Sequence, residues 1–182
     1  DDDISYGMKY EGYLKGEDFL MFFYPEFKLI YGEEKLNSIL KPLNEIDLDI
    51  FIEKRDVGEN DSHICSLIRN DSVEDFISYV NKNSIPLSSR IRKSFFETNS
   101  FLVNKEPSLI EYAAFFGSIQ ILNYLKFKQV ELGSSLWIFA IHSKNAEIIH
   151  FLEECEVELP NDSFTECIKE SIKCHRNEIA EY

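Results

Sequence analysis

The chain has 182 residues, 44% of them hydrophobic, which is enough to bury the core of one domain or of a repeat array. Its formal net charge of −14 argues against binding nucleic-acid phosphates across a broad face, so no nucleic-acid partner is expected. No apolar run approaches the roughly 18 residues needed to cross a bilayer and nothing resembles a signal peptide, so no membrane association is expected.

Residues 1–60 carry no internal repeat and are expected to form an N-terminal capping or extension segment. Gly16-Glu17-Asp18 predicts the start of a short helix that Pro25 must end. The aromatic stretch from Phe19 to Phe27 needs cover, and two readings stand for it: a cap sealing one end of a stack, or a patch for a protein partner. A helix is predicted over Glu33 to Leu40, with Leu36, Ile39 and Leu40 on one side, and Asp47 to Ile52 alternates briefly like a strand.

From residue 61 onward the chain repeats. Ser108 to Leu125 matches Ser135 to Leu152 almost position for position at an offset of 27 residues, and Val130-Glu131-Leu132 after the first stretch returns as Val157-Glu158-Leu159 after the second. A looser copy lies 45 residues before the first, placing Ile64, Leu67 and Ile68 on Leu109, Tyr112 and Ala113. Another lies 31 residues after the second, placing Cys167 and Ser171 on Leu136 and Ala140. The units are 61–87, 107–133, 134–160 and a truncated 161–182, with an insertion at 88–106. The aromatics Tyr79, Tyr124, Phe151 and Tyr182 fall in register. A fixed period of this size is the mark of a repeat protein, whose units are too small to fold alone.

Within a unit the signal is helical. Ile121, Leu122 and Leu125, like Ile148, Ile149 and Leu152, have the i, i+1, i+4 spacing that gathers apolar groups onto one face. A shorter apolar segment precedes each, with Ala113-Ala114 or Ala140 allowing close approach. The expected unit is two antiparallel helices joined at Gly117 or at Lys144-Asn145, and Trp137 falls on a core position of the first helix. The insertion holds the basic cluster Arg90-Ile91-Arg92-Lys93 among serines, read either as a solvated segment or as a charge switch. Phe95, Phe96, Phe101 and Leu102 are expected to fold it back on the stack.

These residues resemble a family. Ser108-Leu-Ile-Glu-Tyr-Ala-Ala-Phe-Phe-Gly-Ser-Ile-Gln-Ile-Leu-Asn-Tyr-Leu125 looks like a degenerate ankyrin repeat, whose usual form runs T-P-L-H-x-A-A-x-x-G-H-x-E-I/V-V-x-x-L. The alanines, the glycine and the Ile-Leu/Leu spacing are in place; the Pro and His of the T-P-L-H corner are missing. From Ile64 to the end the resemblance is to ankyrin-like proteins expanded in parasitic protists of the trichomonad type, which implies an all-α helical solenoid serving as a binding scaffold. In such stacks the ends of the inner helices line a concave surface. Carried over by position, the resemblance implies a protein-binding edge at Phe115, Phe116, His142, Ser143, Lys173, Asn70 and Asp71, with Cys174 beside it.

Catalytic chemistry finds no support. There is no phosphate-binding glycine loop, no G-x-S-x-G and no H-E-x-x-H, so no cofactor is expected. Cys174 and His175 are neighbours on a helix and point apart, while His63 and Cys65 lie at the other end of the array from Cys174 and His175; no metal site is assigned. The four cysteines, Cys65, Cys155, Cys167 and Cys174, are too few and too scattered for a disulfide scaffold, which makes the cytoplasm the default location. Asn-Asp-Ser triplets at 60, 70 and 161 are read as helix caps. The chain starts at Asp1 and stops one position before the leucine that closes the aligned helix in the central copies, so a fragment of a longer protein is expected. The expected function is a non-catalytic scaffold for a protein partner; the alternative is a permanent component of a large, for example cytoskeletal, assembly.

Overall fold

The computed structural model describes residues 21–32, 34–35, 47–143 and 145–182. The predicted start at Gly16 and most of the predicted helix from Glu33 to Leu40 lie outside them. Among the described residues the chain is all-α, with ten α-helices, one 3-10 turn at Pro160–Asp162 and no strand. It divides into two compact units. One holds the described residues up to Ser62 together with Lys93–Lys105, the other His63–Arg92 together with Glu106–Tyr182.

The first unit contains α1 (Tyr24–Tyr31) and α2 (Leu48–Val57). Met21 and Phe22 are helical and the chain breaks at Phe23, just ahead of Pro25, which sits in the first turn of α1, where its missing N–H leaves no helical bond unmade. The strand expectation at Asp47–Ile52 fails. The Asp47 carboxylate accepts from the backbone N–H groups of Asp49 and Ile50 at 3.0 and 3.2 Å and so starts α2. Arg55 then ties α2 to α1, donating to the Glu26 carboxylate at 2.7 Å and to the Phe22 carbonyl at 3.1 Å. The Arg55 guanidinium holds the Glu26 carboxyl below its ordinary range.

The aromatic part of the insertion belongs to this unit. Phe96 meets buried Phe51 at 5.3 Å between ring centres, and Phe95 meets Phe22 at 5.7 Å. Within this unit Phe95 and Phe96 therefore pack on Phe22, just ahead of α1, and on Phe51 of α2. Polar contacts reinforce the junction: Thr98 donates through both its backbone N–H and its hydroxyl to the Gly58 carbonyl, and Ser94 donates to Asp61 at 2.8 Å. Ser94, at the end of the basic cluster, is thus held by a carboxylate.

The second unit is four helix pairs: α3 (His63–Arg69) with α4 (Val73–Lys82), α5 (Leu109–Phe116) with α6 (Ile119–Phe127), α7 (Leu136–His142) with α8 (Glu147–Glu154), and α9 (Thr165–Lys173) with α10 (Asn177–Glu181). The first helices pack in the order α3, α5, α7, α9, and α4 packs on α6. Ala113, Ala114 and Ala140 are wholly buried where the first helices meet, as their size requires, and Ile121, Leu122, Leu125, Ile148 and Leu152 are sealed from solvent on the second helices. Trp137 is buried and donates its indole N–H to the Val157 carbonyl at 3.1 Å. The aromatic register holds unevenly, since Phe151 is buried while Tyr182 is exposed.

One backbone geometry recurs at the helix ends. Ser84, Gln129 and Glu156 all have positive φ, at 50°, 60° and 50°, at the spacings of 45 and 27 residues that relate the sequence copies. After each, the next backbone N–H reaches back five residues, from Ile85 to Val80, Val130 to Leu125 and Val157 to Leu152. That closed exit satisfies the last carbonyls of α4, α6 and α8. Asp71, Gly117 and His175 make the same exit from α3, α5 and α9. A side-chain-bearing residue in this region is strained by about 1–2 kcal/mol. Gln129 is exposed, so Gln129→Gly should raise stability by about 0.5–1 kcal/mol after the entropy loss of glycine, measured by urea denaturation.

Candidate functional site

The ends of the first helices and the turns after them carry every sequence-predicted site residue, and side chains cross from pair to pair there. Arg69 at the end of α3 donates to the hydroxyl of buried Tyr112 at 2.9 Å, with its guanidinium over the Phe116 ring at 5.9 Å. Phe116 also packs on Tyr112 and Phe115 at 4.7 and 5.0 Å. Phe115 stacks on the His142 imidazole at 5.1 Å with 25° between planes. His142 in turn meets Glu170 and Cys174 of the last pair.

The predicted residues separate into three kinds. Asp71 is structural, because its two carboxylate oxygens accept from the N–H groups of Gln120 and Ile121 at 2.9 Å each, capping the second helix of the next pair. Ser143 is buried, its hydroxyl oxygen accepting from the Asn145 N–H at 2.9 Å, and Phe115 is only 7% exposed. Of the two phenylalanines on this edge, α5 turns Phe115 into the boundary with α7 and leaves Phe116 partly covered. Asn70 and Lys173 are exposed, and His142 is half-buried.

The Asn-Asp-Ser triplets act as turn formers in different ways. Asn60 accepts from the Ser62 N–H ahead of α3, whereas at 70 the aspartate caps a neighbouring pair, and Asn161 donates to Glu166. Two further polar links join the turns. The Ser118 hydroxyl donates to the Ile68 carbonyl at 2.6 Å, and the Asn145 amide donates to the Gly117 carbonyl at 3.2 Å. At the opposite end of the first helices, Ser108 and Glu111 form a reciprocal capping box on α5, and the Ser135 hydroxyl donates to the second Glu111 oxygen at 2.7 Å.

The densest chemistry on this edge is His142, Glu170 and Cys174. The His142 Nε2 lies 3.1 Å from Glu170 Oε1, and the Cys174 sulfur lies 3.5 Å from each ring nitrogen and 3.9 Å from Glu170 Oε1. Glu170 and Cys174 stand one helical turn apart at the end of α9, and His142 closes α7. The other Glu170 oxygen accepts from Lys173 Nζ at 2.9 Å. Burial pushes the Glu170 carboxyl up, but the bonds from Lys173 and His142 outweigh it and hold the group below its usual range. Burial, then the Glu170 charge, pushes the Cys174 thiol up.

Pairing Cys174 with His175 on the chain pointed away from this cluster. His175 sits in the turn at φ 57° and is exposed, while Cys174 meets an imidazole 32 residues earlier. Glu170 was not singled out by sequence at all. The signal existed in the 31-residue register, which sets Lys173 opposite His142 and hence Glu170 one turn below it. His63, by contrast, packs on Tyr79 in the first pair, and Cys65 is sealed in the core.

A nucleophile–base reading of the cluster is weak on geometry. A sulfur equally far from both ring nitrogens points along neither lone pair, and a thiol raised by burial lacks thiolate character. Comparison of the chain with protein-family models, with curated proteins and with solved structures gave no match. No described helix is long and apolar enough to cross a membrane.

Proposed function

We propose that the second unit is an ankyrin-like helical solenoid acting as a non-catalytic protein–protein interaction scaffold. The observation that carries this reading is the recurrence of one helix exit at Ser84, Gln129 and Glu156, spaced as the sequence copies are spaced, together with the ordered packing of first helix on first helix. Units that share exits and stack only on neighbours build an extended edge from equivalent positions, which is the surface such scaffolds offer to partners. The Glu111 carboxylate stands where the ankyrin pattern has histidine. It supports the reading by doing two jobs at that corner, capping its own helix and accepting from Ser135 of the next unit.

The partner's contact points on this edge are the partly covered Phe116 and the exposed Asn70 and Lys173. Phe115 serves the stack beneath them. The test is a pull-down from native lysate with the intact chain, comparing wild type with Phe116→Ala plus Lys173→Ala after circular dichroism shows equal folding. A partner held by wild type and lost by the double variant is the expected result. Retention of the same partner by the variant overturns the assignment of the edge, and co-sedimentation of both proteins with an insoluble assembly replaces the scaffold with a permanent structural role.

A further inference from the structure

We propose that His142, Glu170 and Cys174 form a binding site for a zinc-class divalent cation, a role that no sequence motif announces. The three side chains offer one imidazole nitrogen, one carboxylate oxygen and one sulfur, all within 4.8 Å of one another. Ligand bonds of about 2.0 Å to nitrogen and oxygen and about 2.3 Å to sulfur, set at tetrahedral angles, put the ligand atoms roughly 3.3–3.6 Å apart. The observed separations of 3.1, 3.5 and 3.9 Å straddle that range, and a rotation of the His142 ring that aims its Nε2 lone pair between Glu170 Oε1 and the Cys174 sulfur lets a single ion reach all three. The donor set also selects among metals. Calcium and magnesium prefer oxygen alone, whereas a thiol with an imidazole and a carboxylate suits zinc and its tetrahedral analogues.

The surroundings are arranged as an outer shell should be. Lys173 holds the second Glu170 oxygen, and Phe115 lies flat against the imidazole and shields one side. His142 and Glu170 side chains keep 15% and 16% exposure, which leaves solvent a path to the ligands. As the metal–sulfur bond forms, the Cys174 thiol proton passes to solvent, while Glu170 binds as the carboxylate and His142 as the neutral ring. Two negative ligands then balance the divalent charge. Three protein ligands leave a fourth position for water or for a side chain brought by a partner. The ion joins α7 to α9, which makes the last helix pair its main beneficiary. The site stands whether or not a protein docks on this edge.

The test uses the whole 182-residue chain, reduced and stripped of metal, titrated with cobalt(II). The expected result is a thiolate-to-cobalt charge-transfer band with visible bands of tetrahedral intensity, saturating at one ion per chain and displaced by zinc(II) but not by magnesium(II). Cys174→Ser abolishes the charge-transfer band and Cys155→Ser leaves it intact. Glu170→Gln, which keeps the side-chain shape, weakens cobalt affinity by more than about a hundredfold, beyond what outer-shell changes produce. Zinc raises the melting temperature of the wild type and not of Glu170→Gln. No charge-transfer band in wild type, a band that survives Cys174→Ser, or unchanged affinity in Glu170→Gln overturns the site. Because Glu170→Gln leaves the thiol in place, it decides the matter even where Cys174→Ser disturbs the helix end.

Discussion

Leu125→Ala is expected to cost about 2–5 kcal/mol, a large part of the 5–15 kcal/mol that holds a domain of this kind together. Leu125 is fully buried in α6, and its carbonyl accepts the N–H of Val130 in the closed exit. Removing its side chain opens a cavity between α6 and the helices packed on it, α5 and α4. Neighbours that depend on one another should loosen together. Urea denaturation measures the loss, and amide exchange in α4 and α5 should accelerate along with that in α6. A variant whose exchange rises in α6 alone contradicts the cooperative packing inferred here.

Gly117→Ala should cost about 2–4 kcal/mol, from two separable causes. The residue has φ 77°, a region that strains any side-chain-bearing residue. An added Cβ would also lie 2.8 Å from the Ser143 hydroxyl oxygen and 2.9 Å from the Asn145 Cβ. Gly117→Asn tells the causes apart, since asparagine tolerates the backbone region yet brings the same Cβ. A loss with asparagine close to that with alanine makes the contact with the next turn dominant. A loss below about 1 kcal/mol makes the backbone dominant. Adding Ser143→Ala to Gly117→Ala relieves the shorter contact and should recover part of the stability, read from denaturation midpoints.

The helix pairs α5/α6 and α7/α8 were legible because their apolar residues are dense and repeat without a gap, so periodicity alone located them. Asp47 shows where alternation misleads, since a pattern over six residues carries less weight than one carboxylate bonding two backbone N–H groups. Phe115 and Phe116 show the limit of register. Equivalence to a surface position does not say which of two adjacent rings turns toward the neighbouring helix, and that depends on the stacking against His142. The His142–Glu170–Cys174 cluster needs a contact across 32 residues, which only the superposition of the loosest copy on its predecessor brings within reach.

The links between turns have a mechanical consequence. Asp71 bonds into α6, Ser118 bonds back to the end of α3, and Asn145 bonds to the carbonyl of Gly117, so each boundary between the first three pairs is crossed by side-chain bonds to backbone. These bonds lie where the chain reverses, not along the apolar faces. A pull on the chain ends therefore loads polar fasteners of definite direction before it opens the greasy seams between helices. An ion held between α7 and α9 would add one more such fastener, at the boundary that leads to the last helix pair.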